Sequence, residues 1–175
     1  MLTIIYGASG SGKSEYAEEL LMNAPDKNKY YLATMKVSTD EDLKRVERHK
    51  KLRAGKGFWA VEQEDNISDV LDKISVADSA LLLECMSNLV ANEMFKEDAT
   101  VSSKEVSEKI ISEIKKINKK INNFFIVTNN VFDDGCEYDE VTMDYLKALS
   151  IVNMRLFEIA GEAYEIVAGI PIRLK

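Results

Sequence analysis

The sequence predicts an α/β fold in which helices flank a doubly wound, mostly parallel sheet with a C-terminal edge hairpin. Short apolar runs alternate with longer helical patterns along the chain, as in successive β–α–β units. The first four runs are almost continuously apolar, which is typical of strands covered on both faces. The last two runs contain Gly169 and Pro171, which favours a sheet edge or a hairpin. The predicted strands are Leu2–Tyr6, Tyr30–Ala33, Ala80–Leu83, Phe124–Val127, Tyr164–Ala168 and Ile170–Leu174.

Helical patterns fill the intervals between these runs. The first predicted helix covers Lys13–Leu21, and the spacing of Ser38 and Glu41 is that of a capping box before a helix that reaches about Arg53. Two later helices each carry one apolar stripe with steps of mostly three or four residues. The stripes are Val106, Ile110, Ile111, Ile114, Ile117 and Ile121, and then Leu146, Leu149, Val152, Leu156, Ile159 and Ala160. The polar stretch 96–103 predicts a loop, and 133–135 (Asp-Asp-Gly) predicts a turn.

Length and composition narrow the class of protein. A chain of 175 residues with 46% hydrophobic residues predicts one packed domain over residues 1–175. The net charge of −7 argues against nucleic acid or an anionic membrane as the main partner. No apolar run approaches the roughly 20 residues of a membrane span, and the N-terminus shows no export signal, so we expect a cytoplasmic protein. Cys85, Cys136 and a single histidine predict neither a disulfide framework nor a multi-histidine metal site.

A phosphate-binding loop is predicted between the first strand and the first helix. Its residues match the pattern G-x-x-x-x-G-K-[ST] and are Gly7-Ala8-Ser9-Gly10-Ser11-Gly12-Lys13-Ser14. The glycines let backbone N–H groups point inward at an anion, and the helix start adds the positive end of its dipole. We expect Lys13 to reach the β- and γ-phosphates of a nucleoside triphosphate and the Ser14 hydroxyl to bind Mg²⁺. The predicted fold is therefore P-loop NTPase-like.

Glu84 ends the apolar run Ala80–Leu83 with a carboxylate. Beside a phosphate loop, this is the expected position of a second group directed at Mg²⁺, which it would hold directly or through water. The alternative is an ordinary polar residue at the end of a strand.

His49 is the only histidine, and it lies among cations. On a helix, Arg45, His49 and Arg53 share one face. Nearby cations disfavour the protonated imidazole, and a neutral imidazole can attack an α-phosphate while guanidinium groups hold the phosphate oxygens. The alternative is a solvated basic helix in which the histidine is incidental.

The chain resembles the adenosylcobinamide kinase/adenosylcobinamide-phosphate guanylyltransferase family over nearly its whole length. Besides the phosphate loop, the most specific shared segment is Arg45-Val46-Glu47-Arg48-His49-Lys50 with Arg53. The other shared segments are Tyr31–Thr34, Trp59–Glu62, Leu82–Cys85 with Asn92, Val127–Asn129, Val152–Asn153, Ala168–Pro171 and Leu174–Lys175. The resemblance implies that Glu62 is an acidic residue near the nucleotide, and its alternative is a solvated surface carboxylate.

Two reactions of cobalamin nucleotide-loop assembly are implied by this resemblance. ATP or GTP phosphorylates the aminopropanol hydroxyl of adenosylcobinamide, with Lys13, Ser14 and Mg²⁺ stabilising the transferred group. His49 then attacks GTP, releases pyrophosphate and carries GMP to adenosylcobinamide phosphate, which gives adenosyl-GDP-cobinamide. The resemblance also implies a homo-oligomer, most commonly a trimer.

The chain departs from the family pattern in two segments, and three of the departures bear on function or local structure. After its fourth strand the family has a segment like N-E-V-G-x-G-I-V-P, where this chain has Asn130 for the glutamate and Phe132 for the first glycine. Ala54 stands where the family has a proline after Arg53. Because Asn130 can neither act as a base nor carry charge, the sequence leaves open whether both activities are retained or the acceptor differs.

Two other interpretations stay open at this point. One is a P-loop small-molecule kinase without the guanylyl-transfer step, in which His49 is structural. The other is a non-catalytic, nucleotide-binding regulatory protein, against which stands the lack of the N-K-x-D motif of regulatory GTPases.

Overall fold

The computed structural model describes residues 1–36, 39, 55–96, 99–131 and 138–175. Several sequence expectations fall outside these residues: the capping box at Ser38 and Glu41, the helix to Arg53 with Arg45 and His49, the departures Ala54 and Phe132, and the turn at 133–135.

Seven strands form one sheet in the order β3-β2-β4-β5-β1-β6-β7. The strands are β1 Leu2–Gly7, β2 Asn28–Ala33, β3 Trp59–Glu62, β4 Ser79–Glu84, β5 Asn123–Asn129, β6 Glu162–Val167 and β7 Ile170–Arg173. Every neighbouring pair is parallel except β6 and β7, which form an antiparallel hairpin at the edge. This arrangement confirms the predicted fold class, including the edge hairpin.

Helices cover both faces of the sheet. The helices of the described ranges are α1 Lys13–Asn23, a 3₁₀ helix Ile67–Asp72, α2 Met86–Met94, α3 Ser103–Asn118 and α4 Glu140–Ile159. Ala17 and Leu21 of α1 pack on one face, in a core with Ile5, Leu82 and Val127. The other helices pack on the opposite face in a larger core. In the described residues no helix has the length and apolar character needed to cross a membrane.

The two predicted apolar stripes are confirmed with small corrections. All six residues of the α3 stripe are buried, although Ile121 lies beyond the helix end at Asn118. In α4 the stripe residues Leu149, Val152 and Leu156 are buried, Leu146 and Ile159 are half-buried, and Ala160 is the residue after the helix. The predicted loop ends at Ser102, whose hydroxyl accepts from the Glu105 N–H and caps α3.

In the described residues the sequence patterns miss three elements: β3, the 3₁₀ helix Ile67–Asp72 and α2. Three of the four β3 residues are exposed, and the apolar residues within this edge strand, Trp59–Val61, form a shorter run than those of the central strands. Helix α2 begins two residues after β4 ends, without an intervening glycine or proline. The sequence therefore contains no turn signal that separates the helix from the strand.

Candidate nucleotide site

The loop after β1 is tightly wound, and close contacts favour glycine at two of its positions, Gly7 and Gly12. A Cβ atom on Gly7 would lie 2.7 Å from Ser11 Oγ and 2.8 Å from the Ile166 carbonyl oxygen. Gly12 has a φ of +92° at the residue that precedes α1, a conformation that glycine adopts without steric cost. The Ser11 N–H donates to the Ala8 carbonyl at 3.2 Å. The Ser11 hydroxyl is buried and finds no hydrogen-bond partner in the described part of the chain.

Lys13 is the first residue of α1, and its side chain returns to the loop. The side chain donates from Nζ to the Ala8 carbonyl at 2.9 Å, and the residue is 7% exposed. Burial lowers the pKa of Lys13, while its electrostatic interactions with Cys85 and with the Glu84 carboxylate act in the opposite direction. A cation is thus held inside a loop that also presents backbone N–H groups, which is the arrangement that binds phosphate.

Ser14 and Glu84 meet at the C-terminal edge of the sheet. The Ser14 hydroxyl donates to Glu84 Oε1 at 2.5 Å, and the Tyr31 hydroxyl donates to Oε2 at 2.7 Å. Tyr31 is 4% exposed, and its ring stacks on Phe58 with the ring centroids 5.6 Å apart. Two residues from separate elements, Ser14 of α1 and Tyr31 of β2, therefore fix the Glu84 carboxylate.

The donor set at this point fits Mg²⁺. Mg²⁺ prefers hard oxygen ligands and is commonly bound by one or two protein groups together with substrate phosphates and waters. The Ser14 hydroxyl and Glu84 carboxylate provide two such oxygens beside the loop. The described ranges contain no cluster of three or more His, Cys, Asp or Glu side chains, so phosphate oxygens and water would have to complete the coordination.

Side-chain hydrogen bonds join the strand ends next to Glu84. Thr34 Oγ1 donates to the Cys85 carbonyl at 2.8 Å, and Asn129 Nδ2 donates to Ser87 Oγ at 2.7 Å. The Cys85 sulfur lies 3.0 Å from the same Ser87 hydroxyl. Burial raises the pKa of Cys85, which keeps the thiol protonated at neutral pH and argues against a nucleophilic role.

The chain leaves β5 next to the loop. The Asn130 N–H donates to the Gly7 carbonyl at 3.0 Å, so the residue that replaces the glutamate of the family lies beside the phosphate loop. Within β5, the buried Thr128 hydroxyl donates to Asn153 Oδ1 on α4 at 2.6 Å. Asn130, where the chain departs from the family pattern, is therefore held in place directly after β5.

The predicted site residues divide into three groups. The loop residues 7–14 and Glu84 come together, as the preceding contacts show. Glu62 is exposed at the end of β3, in register with Ala33 and, beyond it, Glu84. Two strand spacings, about 10 Å, therefore separate the backbones of the two glutamates. Arg45, His49 and Arg53 lie outside the described residues.

Tyr31 is a site residue that the sequence patterns miss. Its segment is one of those shared with the family, but its bond to Glu84 joins residues 53 positions apart. Only the cross-strand register of β2 and β4 brings them together, so no local pattern could have revealed the contact.

The sheet topology and the loop define a P-loop NTPase-like protein. A family model described as cobinamide kinase / cobinamide phosphate guanyltransferase matches residues 3–174. The chain belongs to this family, whose members are transferases. It is 27% identical over 185 residues to the bifunctional adenosylcobalamin biosynthesis protein CobU of Salmonella typhimurium, with all of both chains covered.

The fold is similar to those of solved structures. One of them, an ATPase domain, is 11% identical and superposes with a TM-score of 0.52, covering 94% of this chain and 68% of that one. The flagellar accessory protein FlaH of Methanocaldococcus jannaschii is 17% identical with a TM-score of 0.49, covering 99% and 77% of the two chains. At 11% identity the likeness to the ATPase domain speaks for the fold alone.

Proposed function

We propose that this protein phosphorylates adenosylcobinamide with ATP or GTP and then transfers GMP from GTP to the product through a guanylyl intermediate on His49. Membership of the family supports the pair of activities. The observation that carries the proposal is the meeting of Ser14 and Glu84 at 2.5 Å beside a loop that encloses Lys13. That arrangement can hold a triphosphate, which both reactions need.

In the kinase step, the acceptor hydroxyl attacks the γ-phosphorus and loses its proton, and the bond to the β-phosphate oxygen breaks. Lys13 and the loop N–H groups stabilise the charge on the transferred group. When bound at Ser14 and Glu84, Mg²⁺ supplies additional positive charge at the phosphate oxygens. Because Asn130 cannot accept that proton as a carboxylate would, solvent or another group takes it.

In the guanylyl step, a neutral His49 nitrogen attacks the α-phosphorus of GTP and pyrophosphate leaves. The other ring nitrogen keeps its proton. A phosphate oxygen of adenosylcobinamide phosphate then attacks the same phosphorus, and the phosphorus–nitrogen bond breaks with its electron pair returning to the ring. Arg45 and Arg53 are proposed to hold phosphate oxygens, and Glu62 to lie near the nucleotide. The products are adenosyl-GDP-cobinamide and free imidazole.

The proposal also includes the domain organisation, the cellular location and the oligomeric state of the protein. We expect one nucleotide-binding domain over residues 1–175, acting in the cytoplasm as a homo-oligomer, with a trimer as the first state to test. Sedimentation velocity of the purified protein measures that state directly.

Transfer of GMP is tested by incubating the protein with α-labelled GTP and Mg²⁺ and then denaturing it. A phosphoramidate gives label that is stable to alkali and labile to acid. The label should disappear in His49→Ala and persist in the matched neighbour Lys51→Ala. Equal labelling of both variants would remove His49 from the mechanism, and no label on the wild type would favour a kinase without guanylyl transfer.

Phosphorylation is tested separately with γ-labelled ATP and cobinamide. Lys13→Ala should lose the transfer by a factor of at least about 10², because the charge inside the loop is removed. Lys27→Ala removes an exposed lysine and should leave the rate unchanged. An active Lys13→Ala variant would contradict the role of the loop.

A further inference from the structure

The turn between β6 and β7, residues Val167–Ile170, lies directly against the phosphate loop. The Gly169 N–H donates to the Ser11 carbonyl at 2.8 Å. A Cβ atom on Gly12 would lie 3.3 Å from the Gly169 Cα. The turn and the loop therefore form one continuous surface, although about 160 residues separate them in the chain.

This turn lies on the opposite side of β1 from Glu84, one of the two proposed metal ligands. In the sheet order, β5 and β4 with Glu84 follow β1 on one side, and β6 and β7 follow it on the other. Metal ions at such loops bridge the β- and γ-phosphates. A triphosphate whose γ-end lies towards Glu84 thus extends its nucleoside end towards the β6–β7 turn.

All four residues of the turn are exposed, and its two outer side chains are apolar. Val167 is 48% exposed and Ile170 is 64% exposed. They are register partners in the hairpin, so their side chains lie on the same face. The two central residues, Ala168 and Gly169, have left-handed φ values of +50° and +81°, as a two-residue hairpin turn requires. The result is a small apolar patch attached to the phosphate loop.

We propose that this turn is the platform on which the base of the bound nucleoside triphosphate packs. The inference rests on the proposed function, since it takes the loop as the triphosphate site. Val167 and Ile170 would contact the flat face of a purine, which is apolar, while the loop holds the phosphates. Aliphatic side chains contact the face and do not read the hydrogen-bonding edge, so adenine and guanine gain equally from the contact.

Binding measurements separate the base contact from the phosphate contact. The variant carrying Val167→Ser and Ile170→Ser should bind ATP and GTP roughly 10-fold more weakly, because apolar contact area is lost. Its affinity for inorganic tripolyphosphate, which has no base, should change less than about 2-fold. Ile172→Ser is the matched control, since Ile172 lies two residues further along β7 and is 46% exposed. That variant should bind all three ligands like the wild type.

The outcomes distinguish this inference from the proposed function. Lys13→Ala should weaken ATP, GTP and tripolyphosphate together, and if it weakens none of them the loop itself is not the triphosphate site. If Lys13→Ala weakens all three while the double serine variant binds ATP normally, the platform is wrong and the proposed function stands. A loss of tripolyphosphate binding in the double variant would also overturn the platform, because it would show damage to the loop.

Photochemical labelling gives a second readout that does not depend on affinity. After irradiation with 2-azido-ATP and digestion with trypsin, the label should lie on the peptide Leu156–Arg173, which contains the turn. Excess tripolyphosphate should suppress that label by competing for the loop. Label confined to other peptides would contradict the proposal.

Discussion

Tyr31→Phe tests the network that fixes the proposed metal carboxylate. The substitution removes only the hydroxyl, which donates to Glu84 Oε2 at 2.7 Å, and it keeps the ring that stacks on Phe58. Tyr31 is 4% exposed, so water has little access to the position that the hydroxyl leaves. We therefore expect a loss of stability together with a less strictly oriented carboxylate.

The expected loss of stability in Tyr31→Phe follows from the negative charge of the Glu84 carboxylate, which accepts the hydrogen bond. A hydrogen bond to a charged group contributes about 1.5–3 kcal/mol to stability. Glu84 is half-buried and keeps its bond from Ser14, so solvent offsets part of the loss. We expect the free energy of unfolding to fall by about 1–2 kcal/mol, which in a chain of this length lowers Tm by about 3–6 °C.

Urea denaturation at neutral pH measures the change, with Tyr164→Phe as the control. The Tyr164 hydroxyl donates to Glu162 Oε2 at 3.4 Å, a long bond whose loss should cost less than about 0.5 kcal/mol. The kinase reaction of Tyr31→Phe should also need more Mg²⁺ for half-maximal rate. If Tyr31→Phe is as stable as Tyr164→Phe and has an unchanged Mg²⁺ requirement, the account of how Glu84 is held is wrong.

Three further predictions concern the supporting structure. Gly7→Ala should cost about 1–2 kcal/mol more than Gly57→Ala in thermal unfolding, since a Cβ meets atoms at 2.7 and 2.8 Å at Gly7, whereas at Gly57 it meets nothing within 4 Å and costs only the strain of a left-handed φ of +81°. Thr128→Val should cost about 1–3 kcal/mol in urea titration by leaving a buried Asn153 oxygen without its donor, and adding Asn153→Leu should recover part of that loss. Burial raises the pKa of Glu113 from its ordinary value of 4.5, so its contribution to stability is complete below pH 4.5 and is lost as pH rises through the folded-state pKa. The stability of wild type minus that of Glu113→Gln should therefore decrease with pH above 4.5 in paired urea titrations, and a difference that increases would contradict the sign.

The sequence predicts those parts of the fold that local patterns determine. The continuous apolar strands β1, β4 and β5 lie in the middle of the sheet and are covered on both faces, so burial leaves a clear mark on their composition. The edge strand β3 is mostly exposed, and its apolar run of three residues, Trp59–Val61, is too short to be distinctive. The stripe of α3 is predicted because its spacing reflects one buried face.

The site, like the fold, contains residues that local sequence patterns identify and residues that they do not. The loop and Glu84 are recognisable because their chemistry requires particular residue types at a fixed spacing or at a strand end. Tyr31 and the β6–β7 turn are not recognisable, since the first depends on strand register and the second on a contact between distant segments. The structure adds the contacts between segments that lie far apart in the sequence.

In the proposed mechanism a single phosphate loop holds the triphosphate for both transfers. Labelling of Lys13→Ala with α-labelled GTP tests it most directly, because this variant damages the loop and leaves His49 intact. The acid-labile guanylyl label should be lost together with kinase activity. Full labelling in a variant that has lost kinase activity would show that the histidine takes GTP from a different site, and it would contradict the claim.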